Sequence, residues 1–128
     1  MDHLYKPTGY PSVSAYIMAN GGQPVIDFLK KTFDATEHRR AESPDGSIAH
    51  VEIRIDDSII MLSDGSEGYP GFPVWIHVYV PDVDATYRRA IEAGGISVQE
   101  PVRKGDVDRR SGVKDPAGNT WWIATQEG

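Results

Sequence analysis

The chain has 128 residues, no cysteine and a formal net charge of −6, from 13 Lys and Arg against 19 Asp and Glu. That length holds one domain and excludes two large ones, and the lack of cysteine excludes disulfides and thiolate metal ligands. The acidic balance and scattered basic pairs argue against a nucleic-acid partner, because phosphate neutralisation needs clustered Lys and Arg.

No apolar run approaches the roughly 20 residues that span a bilayer, so no membrane partner is expected. The N-terminus lacks the basic-then-apolar pattern of a signal peptide, and with no cysteine present a cytoplasmic location is expected. Residues 1–11 read as a leader, ordered by the packing of Tyr5 or Tyr10.

The first strand is expected over Val13–Ala19, with Val13, Ala15 and Ile17 on one face and Ser14, Tyr16 and Met18 on the other. Pro24–Phe33 has a proline in the first turn and an apolar stripe of Val25, Phe28 and Leu29, which predicts a helix. A polar strand over Ala35–Ala41 leads to the turn Ser43-Pro44-Asp45-Gly46. Ile48–Ile55 alternates cleanly, with His50, Glu52 and Arg54 opposite Val51, Ile53 and Ile55. Asp56-Asp57 turns the chain into a strand over Ser58–Ser63.

The glycines and prolines of residues 65–73 mark a connector. Beyond it the order restarts. Val74–Val80 places Trp75, His77 and Tyr79 on one face. Asp82 is set to cap a helix over Val83–Ala93, ended by Gly94-Gly95. Strands follow over Ile96–Glu100 and Asp108–Lys114, and the turn Asp115-Pro116-Ala117-Gly118 leads into a last strand with adjacent Trp121 and Trp122. The two halves, 12–64 and 74–126, repeat β-α-β-β-β with a period of about 60 residues, a structural repeat with little residue identity. The expected class is α+β: two modules in one domain, their sheets curling around a shared cleft.

The stretches VIDFLKKTFDA, HVEIRIDDSIIMLSD, IHVYVPDVDATYRRAIEAGG and SGVKDPAGNTWWIA span both halves. Together they resemble the vicinal oxygen chelate superfamily of glyoxalases, bleomycin-resistance proteins and extradiol dioxygenases, and in particular its small PhnB-like members. The resemblance implies a homodimer and a cleft for a small-molecule ligand. In metal-dependent members His, Gln or Glu ligands sit at four cleft positions, which fall here on Ser14, Met61, Trp75 and Trp122. None of these is a normal ligand for a divalent ion in such a site, and an indole N–H is only a donor. The expectation is therefore no metal and no other cofactor, with an aromatic wall in place of the ligand set.

The expected ligand-binding residues are Tyr16, Met61, Trp75, His77, Tyr79, Arg109 and Trp122. Aromatic walls with a few polar groups suit a small organic molecule; the plain alternative is that these side chains pack on one another. His50, Glu52 and His77 are the catalytic candidates, either as a displaced divalent-metal site of a lyase, isomerase or dioxygenase, or as a histidine base. His3 and His38 read as surface residues, and the connector reads as a plain linker.

Overall fold

A computed structural model describes residues 5–128. The expected leader runs into residues 1–4, and His3 with it; these lie outside the described residues.

The first half contains β1 (Tyr16–Ala19), α1 (Gly22–Phe33), β2 (Thr36–Glu42), β3 (Ile48–Ile55) and β4 (Ser58–Asp64). The second contains β5 (Trp75–Tyr79), α2 (Val83–Glu92), β6 (Ile96–Arg103), β7 (Asp108–Lys114) and β8 (Thr120–Gln126). Each half forms its own four-stranded sheet, ordered β1-β4-β3-β2 and β5-β8-β7-β6. In both, the first strand lies parallel to the last and the other pairs are antiparallel. No strand of one sheet pairs with a strand of the other.

One core joins the halves. From the first sheet, Ile17, Val51, Ile53 and Leu62 pack with Val25, Phe28 and Leu29 of α1. From the second, Val113, Trp121 and Ile123 pack with Val83 and Ala90 of α2. Phe33 meets Trp121 with ring centroids 5.3 Å apart. Gly95 is required by this packing, since a Cβ there would stand 2.4 Å from Val113 and 2.9 Å from Phe28. Arg89 Nε donates to the carbonyl of Thr32 at 3.2 Å and ties α2 to the end of α1.

The expected α+β class with two β-α-β-β-β modules stands, and the two sheets are not closed onto each other. Both apolar faces turn inward onto the helices, so both polar and aromatic faces turn outward and apart. The first strand is also shorter than expected. Ala15 O accepts the Met61 N–H as the last rung of the ladder, and Val13 lies upstream of it, 85% exposed. The sixth strand is longer than expected and contains Pro101, which an edge strand tolerates.

Helix α1 begins two residues before the expected Pro24, on a long-range cap. Gly21 offers no side chain, so Asp64 at the end of β4 takes the Gly22 N–H on Oδ1 at 2.7 Å and the Ile48 N–H on Oδ2 at 2.8 Å. Helix α2 has the local cap expected: Asp82 accepts from the Ala85 N–H at 3.1 Å. The Asp64→Ala variant leaves two backbone donors without a carboxylate and should lose about 2 kcal/mol in urea unfolding; an unchanged midpoint would show that the cap contributes nothing.

Candidate functional site

Alternation decides what each outward face displays. On the second sheet, His77 lies beside Trp122 and Trp122 beside Gly112, so these three share a face with Trp75, Tyr79 and Arg110. Trp75 and Trp122 meet edge to face with centroids 5.2 Å apart. Trp75 is 75% exposed and Tyr79 61% exposed. The Trp122 ring lies over Gly112, where a Cβ would come within 2.6 Å of it. Its Nε1–H is buried and has no acceptor among the described residues.

Beside this indole pair runs a polar chain. Arg110 donates from Nε to His77 Nε2 at 3.1 Å and from its NH2 group to Asp108 Oδ2 at 2.8 Å. Tyr79 donates its hydroxyl to the same oxygen at 2.7 Å. Desolvation, then the Arg110 guanidinium, lowers the His77 pKa below the ordinary imidazole value. A neutral His77 that accepts at Nε2 carries its proton on Nδ1. The hydrogen bond to Asp108 raises the Tyr79 pKa.

Arg109 is a correction. Its neighbour Arg110 faces Trp122, so Arg109 faces α2, where it clamps Asp84 through Nε and NH2 at 2.9 Å each. That pair lowers the Asp84 pKa and raises that of Arg109. The basic residue on the aromatic face is Arg110. The sequence held the signal: on one strand Arg110 is in phase with Gly112, the position the Trp122 ring covers.

On the first sheet, Tyr16 lies beside Met61 and Met61 beside Glu52. Glu52 is 5% exposed. Its Oε1 accepts from the Tyr10 hydroxyl at 2.5 Å and its Oε2 contacts His50 Nε2 at 2.7 Å. His50 Nδ1 lies 3.0 Å from the Tyr16 hydroxyl, which lies 2.6 Å from Ser63 Oγ. Ser63 Oγ in turn reaches the Ala49 carbonyl at 2.8 Å. The Tyr10 hydrogen bond, with His50 and Arg39 behind it, lowers the Glu52 pKa against its burial, and the same bond raises the Tyr10 pKa. Sequence reasoning assigned no site role to Tyr10 or Ser63, because both enter through contacts more than 40 residues apart in sequence.

A cavity of about 500 Å³ opens beside this chain. It is lined by Tyr16, Met18, Ile48 and Ser63 of the first sheet and by Gly65, Ser66 and Tyr69 of the connector. The connector is held along β1 by Gly65 N–H to Ala19 O at 2.8 Å and Phe72 N–H to Met18 O at 3.1 Å. Expected as a plain linker, it is part of a wall.

The structure places Tyr16, His50, Glu52 and Met61 on one face and Trp75, His77, Tyr79 and Trp122 on another. The displaced metal site of His50, Glu52 and His77 is therefore not assembled in one chain. Among the described residues no three His, Cys, Asp or Glu side chains converge. The positions that the resemblance assigns to metal ligands hold Met61, Trp75 and Trp122 on the two faces and Ser14 two residues ahead of β1; these side chains do not fit a divalent ion.

The profile of the Glyoxalase/Bleomycin resistance protein/Dioxygenase superfamily matches residues 14–123. The chain belongs to this superfamily. An uncharacterised Mycobacterium bovis protein is similar to the superfamily member described here, 36% identical over 122 residues, which cover 87% of this chain and 80% of the relative. TioX from Micromonospora sp. ML1 has a similar fold, with a TM-score of 0.73 at 22% identity, over 92% of this chain and 98% of its own. TnmS3, an antibiotic binding protein from Streptomyces sp. CB03234, superposes with a TM-score of 0.70 at 18% identity, over 92% and 100% of the two chains.

Glu52 should give this superfamily member a defined acid response. Its folded pKa is depressed, so its contribution to stability is present above the unfolded carboxyl value of about 4.3 and is lost as pH falls through the folded value. Urea unfolding between pH 3 and 6 (about the carboxylate range) should show that loss in the parent and a flatter profile in Glu52→Gln. Parallel profiles would mean that other carboxylates carry the acid dependence.

Proposed function

We propose that this superfamily member binds a small organic molecule on its aromatic face and does so without the metal site of its metal-dependent relatives. The carrying observation is the Trp75–Trp122 pair, with Trp75 exposed and Trp122 half-buried, set where the resemblance expects metal ligands. Exposed aromatic faces of this kind stack on planar or cationic groups. Around them, Arg110 and the Nδ1 side of His77 supply donors that fix orientation. The fold similarity to TnmS3, an antibiotic binding protein, supports a binding role.

The occupied form is a homodimer in this reading. Within one chain the two sheets are not closed onto each other, so in this reading a cleft with two walls takes the first-sheet face of one copy and the second-sheet face of another. Light scattering should then give the mass of two chains; a monomer that binds ligand at full affinity would overturn this part.

Trp75 and Trp122 make binding visible. A bound aromatic compound should quench tryptophan fluorescence. Trp122→Ala should weaken its affinity about tenfold, the size of a lost stacking contact. Arg110→Ala should weaken it as well, while Arg109→Ala, which removes only the clamp on Asp84, should leave affinity near the parent value. An unchanged affinity in Trp122→Ala would rule out the aromatic face as the site.

A further inference from the structure

We propose that the Tyr16 hydroxyl is a proton-transfer group for a ligand in the cavity of the first sheet, backed by His50 and Glu52, and that the ligand is a small ring compound with an acidic hydroxyl, a phenol or enol. This rests on the small-molecule reading above but concerns the other face of the protein.

The argument begins with the count of protons. Glu52 accepts from Tyr10 on one oxygen and from His50 Nε2–H on the other. The remaining contacts, His50 Nδ1 to Tyr16 at 3.0 Å, Tyr16 to Ser63 at 2.6 Å and Ser63 to Ala49 O at 2.8 Å, admit two consistent directions. With a neutral imidazole, Tyr16 donates to Nδ1 and Ser63 donates to Tyr16. With an imidazolium, Nδ1–H donates to Tyr16, Tyr16 donates to Ser63, and Ser63 donates to the Ala49 carbonyl. The two states differ by one proton: in the imidazolium state Ser63 makes its hydrogen bond to the Ala49 carbonyl, and in the neutral state it turns that proton to Tyr16. Glu52 Oε2, 2.7 Å from His50 Nε2, orients the ring, the place an oriented carboxylate takes behind a catalytic histidine.

The cavity selects the ligand. Its lining has hydroxyls from Tyr16, Ser43, Ser47, Ser63, Ser66 and Tyr69 but no Lys, Arg or His. Its one carboxylate, Asp64, is already engaged by the Gly22 and Ile48 amides. A ligand that arrives as an anion meets no cation there. A neutral one finds apolar walls in Met18, Ile48 and Tyr69 and a proton acceptor at Tyr16. In the transfer, the ligand O–H bond breaks and its proton goes to the Tyr16 oxygen. The Tyr16 proton passes to His50 Nδ1, and Tyr16 turns the proton it has received to the ligand oxyanion in place of Ser63. Charge balances between the oxyanion and the imidazolium. The other polar groups on this chain are Tyr10 from the leader, Arg39 from β2, 3.9 Å from Glu52 and mostly exposed, and Ser63 from β4.

The test uses 4-nitrophenol, whose phenolate has its own visible band, at a pH where the free probe is mostly protonated. The parent protein should give a saturable phenolate band. Tyr16→Phe, which keeps the ring, and His50→Gln should each lower the phenolate fraction of the bound probe about tenfold, equivalent to one pK unit. Circular dichroism checks that each variant is folded. Arg109→Ala, which removes only the clamp on Asp84, should keep the band. A probe held only as the neutral phenol, no saturable signal, or an undiminished band in folded Tyr16→Phe would each overturn the proposal. 4-Nitroanisole, the same ring without the proton, separates the two readings: if it quenches tryptophan fluorescence while nitrophenol shows no band, the binding reading stands and the relay falls.

Discussion

The contact between Phe33 and Trp121 stands for the constraint on which the rest depends: two amphipathic sheets share one core. Each sheet must bury one face, and each does so on its helix. Because α1 and α2 meet through the same core, the buried faces look toward each other and the remaining faces look away. Strand alternation then leaves no freedom. If Trp121 is inside, Trp122 is outside, and so are His77 and Arg110, which share its phase. Every polar and aromatic residue of functional interest follows from that choice.

The repeat allows the two outward faces to be compared position by position. Met61 and Trp122 occupy matching places, as do Tyr16 and His77, and Glu52 and Gly112. The backbone scheme is common to both, but the chemistry has diverged. Where the first sheet holds a buried carboxylate, the second has a glycine, and the space is filled by the Trp122 ring. A carboxylate with three polar neighbours favours proton chemistry and a fixed side-chain network. An indole over a glycine offers a flat apolar surface. One fold thus carries a polar wall and an aromatic wall, built on the same register.

Much of this was legible in the sequence because the signals are local. Ile48–Ile55 alternates without a break, and the observed strand has those bounds. Asp82 caps a helix one residue later, and Gly94 at φ 98 ends it. What was not legible depends on distant residues. The start of α1 is set by Asp64, more than 40 residues away, while its own cap position is a glycine. Val13 alternates like a strand residue but has no partner strand to pair with. Tyr10 is ordered by a carboxylate that only the folded sheet brings near. The choice between Arg109 and Arg110 sits between these cases: phase with Gly112 decides it, but only once Trp122 is known to lie over that glycine.

The separation of the two faces bears on how a site of this kind is completed. A single sheet face is open to water, and water weakens each hydrogen bond and charge contact it offers. The first face escapes part of this penalty on its own. The connector folds back along β1 and walls the cavity, and Tyr10 covers Glu52. The second face has no such cover, which is why Trp75 and Tyr79 stand so exposed. On the proposed reading, covering them is the work of a second copy and of the ligand together. The polar wall, already shielded, can hold its proton network before any ligand arrives. The aromatic wall gains most of its binding energy only when the face is closed, since apolar contact contributes by removing area from water.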